Sequence, residues 1–278
     1  MKLHGRYFVA GVWTTLIALG GCASQPPLAH EPSTAPSAIP ELVKGTGVIA
    51  GYLSAKDLPD SAALLPPPPE MDSPSAVADV AIHRALDAQR ATSRWQRART
   101  DAELLKWPQA TSSFACILGM PITEQATPHL AMLLRRTLGD AGLATYAAKR
   151  HYERARPFVQ LKESLCTPSD EAALTKDGSY PSGHAAVGWA WGLILAELAP
   201  DRAAELLQRG LDYGTSRMVC GVHWASDVEA GRLIGAATLA RMRANPIFQR
   251  QAALARAEIV VARERGTKPS VDCTDVPD

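Results

Sequence analysis

Three short stretches hold the residues whose types and spacing could do chemistry. In Lys149-Arg150-His151-Tyr152-Glu153-Arg154-Ala155-Arg156-Pro157, Lys149 and Arg156 stand seven residues apart. That is two helical turns, so both cations can face one side of a helix that Pro157 stops. Cations are common near helix C-termini, where they complement the macrodipole, so this stretch alone marks no site. In Gly178-Ser179-Tyr180-Pro181-Ser182-Gly183-His184, a Gly- and Ser-rich turn precedes an apolar helical pattern. Free backbone donors and the Ser182 hydroxyl at such a helix start form an anion cradle, with His184 beside it to supply a proton. In the third stretch, Ser216 to Asp227, His223 and Asp227 are four residues apart. A helix beginning near Gly221 brings the carboxylate to one imidazole nitrogen and leaves the other free. Ser226 and Glu229 also fit a capping box, which would start the helix after His223 and break that alignment.

Together these letters supply what phosphoryl transfer needs: three fixed cations, backbone and hydroxyl donors, and two histidines for attack and protonation. The pattern Lys149, six residues, Arg156-Pro157; Pro181-Ser182-Gly183-His184; Arg217, five residues, His223, three residues, Asp227 matches ten specified letters in order. It resembles the three-part signature of the type 2 phosphatidic acid phosphatase (PAP2) superfamily. That superfamily includes class A bacterial non-specific acid phosphatases, membrane lipid phosphatases, glucose-6-phosphatase and vanadium haloperoxidases. Leu64 to Pro69, Tyr180, Glu197 to Pro200 and Cys220 to Val228 resemble the class A acid phosphatases in particular, and the likeness covers about Gly47 to Glu258.

The resemblance implies a metal-independent acid phosphatase of broad specificity, without a cofactor, acting on small phosphate monoesters through a phosphohistidine. His223 would be the nucleophile, His184 the general acid, and Asp227 the partner that orients His223. Lys149, Arg156, Ser182, Gly183 and Arg217 would bind the substrate phosphate. Activity is expected to be bell-shaped on the acid side, since attack needs His223 neutral while His184 is protonated. Two other classes stay open: a vanadium-dependent haloperoxidase using the same anion pocket, and a non-catalytic phosphate-binding lipoprotein. The family likeness also makes a homo-oligomer an expectation.

The elements that must carry these residues read as helices. From Ser75 onward the sequence is Ala-rich with 3.6-residue periodicity and almost no β-branched alternation, which predicts an all-α, single helical-bundle domain. Ser73-Pro74 opens a helix with Val77, Val80, Ala81 and Leu86 on one face, and Thr127-Pro128 opens another over His129 to Lys149. Ala185 to Ala199 is apolar nearly all round, yet too short for a membrane span, so a central buried helix is expected. Further helices are expected over Asp201 to Leu211, Trp224 to Met242 and Phe248 to Arg265. His83 and His129 read as surface or satisfied polar positions, the Gly45 to Gly51 glycines as a turn, and Trp224 as the tryptophan best placed to touch a substrate.

The flanks read differently. Lys2 and Arg6 precede a 13-residue apolar stretch, Tyr7 to Leu19, followed by Gly20-Gly21-Cys22. This is the order of an export signal over residues 1–21, with a lipobox-like end at which Cys22 would be acylated. Eleven of the 21 prolines fall between Pro26 and Pro74, so no long helix fits there. Residues 22–46 are expected to be a Pro-rich tether, 47–262 the catalytic domain and 263–278 a polar tail. The protein would be periplasmic, held to the outer membrane only through its lipid. With a formal net charge of +1, the chain has no general grip on a nucleic acid polymer. Cys116, Cys166, Cys220 and Cys273 form an even set that suggests up to two disulfides, with three connectivities open.

Overall fold

The computed structural model describes residues 1–2, 31–269, 271 and 273. The chain divides into Met1–His30 and Glu31–Asp278, and the second unit carries the helical domain. The proposed signal cleavage region and Cys22 lie outside the described residues. Among the described residues, ten helices of five or more residues build the domain: α1 (Pro74–Leu86), α2 (Ser93–Thr100), α3 (Ser112–Leu118), α4 (Pro128–Leu143), α5 (Tyr146–Tyr152), α6 (Pro157–Leu161), α7 (Gly183–Leu198), α8 (Ala203–Val219), α9 (Ala225–Met242) and α10 (Pro246–Glu264). Four-residue turns at Ser61–Leu64 and Glu171–Leu174 complete the helical elements beside short 3-10 segments. Among the described residues the only β pairing is an isolated bridge between Glu41 and Ile49. No helix among them is long and apolar enough to cross a membrane.

The centre is α7, whose Val187, Ala190, Trp191, Ile194 and Leu195 are buried against α4, α8 and α9. An apolar helix with no polar face is stable only when surrounded. Trp191 is fully buried and donates its indole N–H to Leu134 O at 2.9 Å, so its one polar atom is satisfied in the core. At the α7–α8 crossing, Gly192 and Gly210 let the backbones meet, since a Cβ on Gly192 would stand 3.0 Å from Gly210 Cα. That close approach brings the start of α7, with its Ser-Gly-His sequence, beside the end of α8, which bears Arg217.

Side chains fix several helix starts. Ser73 Oγ accepts from the Ala76 amide at 3.2 Å, and Asn245 Oδ1 accepts from the Ile247 and Phe248 amides at the head of α10. Glu258 of α10 accepts both the His129 and Leu130 amides at 2.9 Å, so the first turn of α4 is capped across the bundle.

Three sequence expectations need correction here. The single helix expected over His129 to Lys149 is broken after Leu143, where Thr145 Oγ1 donates to Gly142 O at 2.7 Å and competes with the helical ladder. The face expected on α1 is also wrong, because Val77 is 63% exposed while Ala76, Asp79 and His83 are buried. This helix buries a polar stripe: Asp79 meets Arg154, and His83 Nε2 lies 2.8 Å from Glu163 Oε2. His129 is thus a satisfied polar position, bridging Glu31 and Gln251, whereas His83 is buried and bonded through Nε2 alone, its Nδ1 having no partner among the described residues. The helix expected over Asp201 to Leu211 runs on to Val219, and that extra length carries Arg217.

The four cysteines pair as Cys116–Cys273 and Cys166–Cys220. The second pair encloses 54 residues of separation, and loop-closure entropy over such a span contributes on the order of 4 kcal/mol against the unfolded chain. It ties the loop after α6 to the end of α8, directly before Gly221.

Candidate active site

Lys149 lies in the last turn of α5, but Arg156 does not share its helix. Glu153 turns into the left-handed region at φ 44°, α5 ends, and Arg156 caps the start of α6 with Pro157 in its first turn. Pro157 therefore opens a helix rather than stopping one, because its missing donor is harmless at that position. The two cations still converge, through Asp177. Its Oδ2 accepts from Lys149 Nζ at 3.0 Å and from Arg156 Nη2 at 2.8 Å, and Lys149 Nζ also donates to Gly178 O. A Cβ on Gly178 would stand 2.6 Å from Lys149 O, so a side chain there would push this wall apart.

Arg156 is buried and its donors are all directed. Nε donates to Leu174 O at 2.9 Å and Asp177 O at 3.0 Å, while Nη1 donates to Val222 O at 3.0 Å and His223 Nε2 at 3.1 Å. A guanidinium has no acceptor. His223 Nε2 must therefore present its lone pair, and the ring's proton sits on Nδ1. Nδ1 is 3.4 Å from Asp227 Oδ2 and 3.4 Å from Ser179 Oγ. Asp227 Oδ2 also accepts from Ser179 Oγ and, at 2.8 Å, from the Trp224 amide.

The helix that carries Asp227 begins at Ala225, not near Gly221, so His223 lies outside it. The expected face-sharing of the two residues on one helix is thus incorrect. Gly221, at φ +77°, bends the chain just before the segment, and Asp227 occupies the third helical position, where it folds back on the Trp224 amide. The imidazole reaches the same carboxylate from the N-terminal side, which is why the contact survives without the helix.

Ser182 caps α7, accepting from the Ala185 amide at 3.3 Å, while its own amide donates to Asp227 O at 2.9 Å. The cradle is therefore bonded to the helix that holds Asp227. Gly183 is the first residue of α7, its amide at the positive end of the helix. His184 Nε2 donates to Ala102 O at 3.1 Å in the segment after α2. Arg217, 2% exposed, has Nε and Nη1 buried without a hydrogen-bond partner among the described residues.

Lys149, Arg156, Gly183, His184, Arg217 and His223 line one cavity of about 400 Å³, with Leu104, Leu105, Leu138 and Tyr146 among its apolar walls. The seven expected phosphate-contacting and histidine positions are thus assembled around one space or, for Ser182, at its helix cap. Trp224 does not line it: its indole N–H donates to Ala155 O at 3.0 Å and its ring packs on His83. The expectation that Trp224 touches a substrate is not supported by this placement, because the indole is turned away by the N-cap geometry.

The electrostatics follow from burial of like charges. Desolvation, then Arg156, Lys149 and Arg217, holds the His223 pKa well below the ordinary histidine value. His184 is lowered likewise, by burial first and Arg217 second, against the opposing pull of its bond to Ala102 O. Burial and the Arg156 charge bring Lys149 down to about 8, and burial with Arg156 brings Arg217 to about 10. Asp177 offsets part of the repulsion between Lys149 and Arg156, and an entering anion would offset more of it. A divalent metal would meet the same repulsion.

Sequence reasoning missed Asp177, Ser179 and Arg154. The first two sit within or directly before the Gly178 to His184 stretch, and Arg154 lies two residues before Arg156. Their proximity to the motifs was the available signal. Asp79, 147 residues from its partner Ser226, left no sequence signal at all.

The PAP2 superfamily model matches residues 129–248. The chain is 42% identical over 208 residues to a protein named non-specific acid phosphatase from Providencia stuartii, covering 74% of this chain and 84% of that one. It is 40% identical over 205 residues to an acid phosphatase of Zymomonas mobilis, covering 74% and 77% of the two chains. To a non-specific acid phosphatase of Salmonella typhimurium it is 39% identical over 222 residues, covering 76% and 88%.

Proposed function

Since this chain belongs to the PAP2 superfamily and is an acid phosphatase, a phosphoric monoester hydrolase, we propose that it works through a phosphohistidine on His223 and needs no metal. The observation that carries this reading is the Arg156 Nη1 contact at 3.1 Å, which leaves the His223 Nε2 lone pair inside the cation cradle.

On this reading a phosphate monoester displaces the guanidinium from Nε2 and takes its donors, together with the partnerless Nε and Nη1 of Arg217, Lys149 Nζ, the Ser182 hydroxyl and the Gly183 amide. The Nε2 lone pair forms the N–P bond. The P–O ester bond breaks toward the leaving oxygen, which receives the His184 proton. Asp227 accepts from Nδ1 and stabilises the positive ring that forms. In the second half a water oxygen attacks phosphorus, its proton passes to His184, and the N–P electron pair returns to Nε2. Both imidazoles are neutral in the free protein over much of the acid range. A bound phosphate dianion offsets the three cations and raises the proton affinity of His184. Cationic walls thereby keep the nucleophile unprotonated in acid while substrate binding charges the acid.

The leaving group meets only the apolar rim, which fits broad specificity. The two disulfides fit folding in an oxidising compartment and so support export. The direct test is hydrolysis of p-nitrophenyl phosphate, nucleotides and sugar phosphates with and without chelator, beside halide oxidation with added vanadate. Undiminished hydrolysis in chelator is expected; loss of turnover on chelation, or halide oxidation in place of hydrolysis, overturns the reading.

A pH profile gives a second expected result. The kcat/KM of the free enzyme should fall with unit slope above its acid optimum as His184 loses its proton. It should steepen above pH 8, because Lys149 titrates at about 8. Lys149→Arg, whose guanidinium keeps its charge, should remove the steepening. An identical two-step fall in that variant would sink the role given to Lys149.

A further inference from the structure

Behind His223 the polar contacts continue for two more residues. Asp227, fully buried, gives Oδ1 to Arg154 Nη1 at 2.6 Å, and Arg154 Nη2 donates to Asp79 Oδ2 at 2.9 Å. Asp79, buried on α1, also accepts the Ser226 amide at 2.9 Å, while Arg154 Nη1 donates to Ser226 Oγ at 2.7 Å. Arg154 lines no part of the cavity that holds His184, Arg217 and His223. Its guanidinium lies between two buried carboxylates, and the charges alternate outward from the imidazole: negative, positive, negative.

We propose that Arg154 and Asp79 are positioning residues, Arg154 restraining Asp227 and Asp79 restraining Arg154, so that the pair sets how strongly His223 holds a proton. This rests on His223 being the nucleophile.

On the cavity side His223 faces Arg156, Lys149 and Arg217, with His184 near them, and these oppose a charged ring. Asp177 acts on it only through Lys149 and Arg156. On the other side stand the neutral Ser179 hydroxyl and Asp227. Asp227 is thus the one adjacent charged group that favours the imidazolium, beside a hydrogen bond with Ser179 that acts in the same direction. A bare carboxylate at this depth would draw a proton onto His223 in acid and consume the lone pair that attacks. Arg154 offsets that charge and holds the carboxylate plane toward Nδ1. Asp79 keeps Arg154 from cancelling Asp227 altogether, which would leave the developing positive ring unsupported. This also gives a physical reason for the polar buried stripe on α1.

The test reads the His223 imidazole by nitrogen NMR in the full chain and the acid limb of kcat/KM with p-nitrophenyl phosphate. Arg154→Gln should move the His223 titration and the acid limb upward by about one pH unit, as expected for losing an opposite charge beside Asp227. At a pH below the limb that is about a tenfold fall in kcat/KM. Asp79→Asn should move His223 the other way, and Arg154→Lys should lie nearer wild type. A merely structural role would lower kcat at every pH without displacing either titration. Opposite displacements in the two variants support the proposal. No displacement, or displacement in the same direction, overturns it. Should Arg154→Gln fail to fold, Asp79→Asn and Arg154→Lys carry the same sign test. Alkaline-quench trapping of phosphate on wild-type His223 is scored separately: its absence would remove the nucleophile reading, while the NMR displacements would still decide the coupling of the charges.

Discussion

His223→Ala is expected to reduce turnover of any phosphate monoester by at least about 10⁴-fold, with no trapped phosphoenzyme and a folded protein. The magnitude follows from the loss of the covalent route as a whole; in well-studied triads, removing one member leaves only the contribution of binding and oxyanion stabilisation. The fold should survive, because the imidazole's partners are site groups and the core around α7 does not depend on it. His184→Ala is the informative contrast. An alkyl leaving group needs a proton, so its turnover should fall about 10² to 10⁴-fold, the usual contribution of general acid catalysis. An aryl phosphate leaves unprotonated, so its N–P bond should still form. With the base for water attack gone, labelled phosphoenzyme should then accumulate. The measurement is phosphate incorporation after an alkaline quench, in which the P–N bond survives, with aryl and alkyl substrates. Normal turnover in His223→Ala, or equal loss on both substrates in His184→Ala, would reverse the assignment of the two histidines.

Arg217→Met should divide activity from stability. Arg217 is 2% exposed, two of its nitrogens have no partner among the described residues, and burial with Arg156 has pulled its pKa to about 10. A buried cation without a full set of bonds destabilises the free protein, and apolar replacement of buried charges commonly stabilises by about 1–4 kcal/mol. In the transition state the same donors meet phosphoryl oxygens, and deleting one such donor raises the barrier by about 2.7–4 kcal/mol, about 10² to 10³ in kcat. The variant should therefore have a higher Tm in the absence of phosphate and a much lower kcat. It should also lose most of the stabilisation that added phosphate gives the wild type. A lower Tm together with undiminished kcat would show that Arg217 serves the fold and not the reaction. The opposition of the two effects is the strain expected of a site shaped for an anion it does not hold at rest.

How far such a site can be read from residues is shown by its own errors. The letters Lys149, Arg156, Ser182, Gly183, His184, Arg217, His223 and Asp227 were picked out as candidates by the combined three-part pattern and its family resemblance, since each stretch taken alone fits an ordinary helix end or start. The local geometry assigned to them was less legible. Lys149 and Arg156 were placed on one helix by periodicity, yet Glu153 adopts a left-handed turn and Arg156 caps a new helix. His223 and Asp227 were joined by four-residue helical spacing, yet the helix begins after His223. In both cases the groups converge, the first through a tertiary contact and the second through a local helix cap. Asp177 gathers the cations, and the Trp224 amide turns Asp227 back toward the imidazole.

Residue types and their local periodicity were enough to determine the helical class, the buried character of α7 and the evenness of the cysteine set, since all of these depend on composition within a few turns of chain, while the three-part pattern pointed to the phosphatase family. The cysteine pairing, the charge chain from Asp79 through Arg154 to Asp227, and the choice of Nε2 as the free imidazole nitrogen were decided only by packing. Each of them joins groups separated by dozens of residues or more. A buried polar atom has to find its partner in space, and nothing in its neighbours along the chain says which partner that will be.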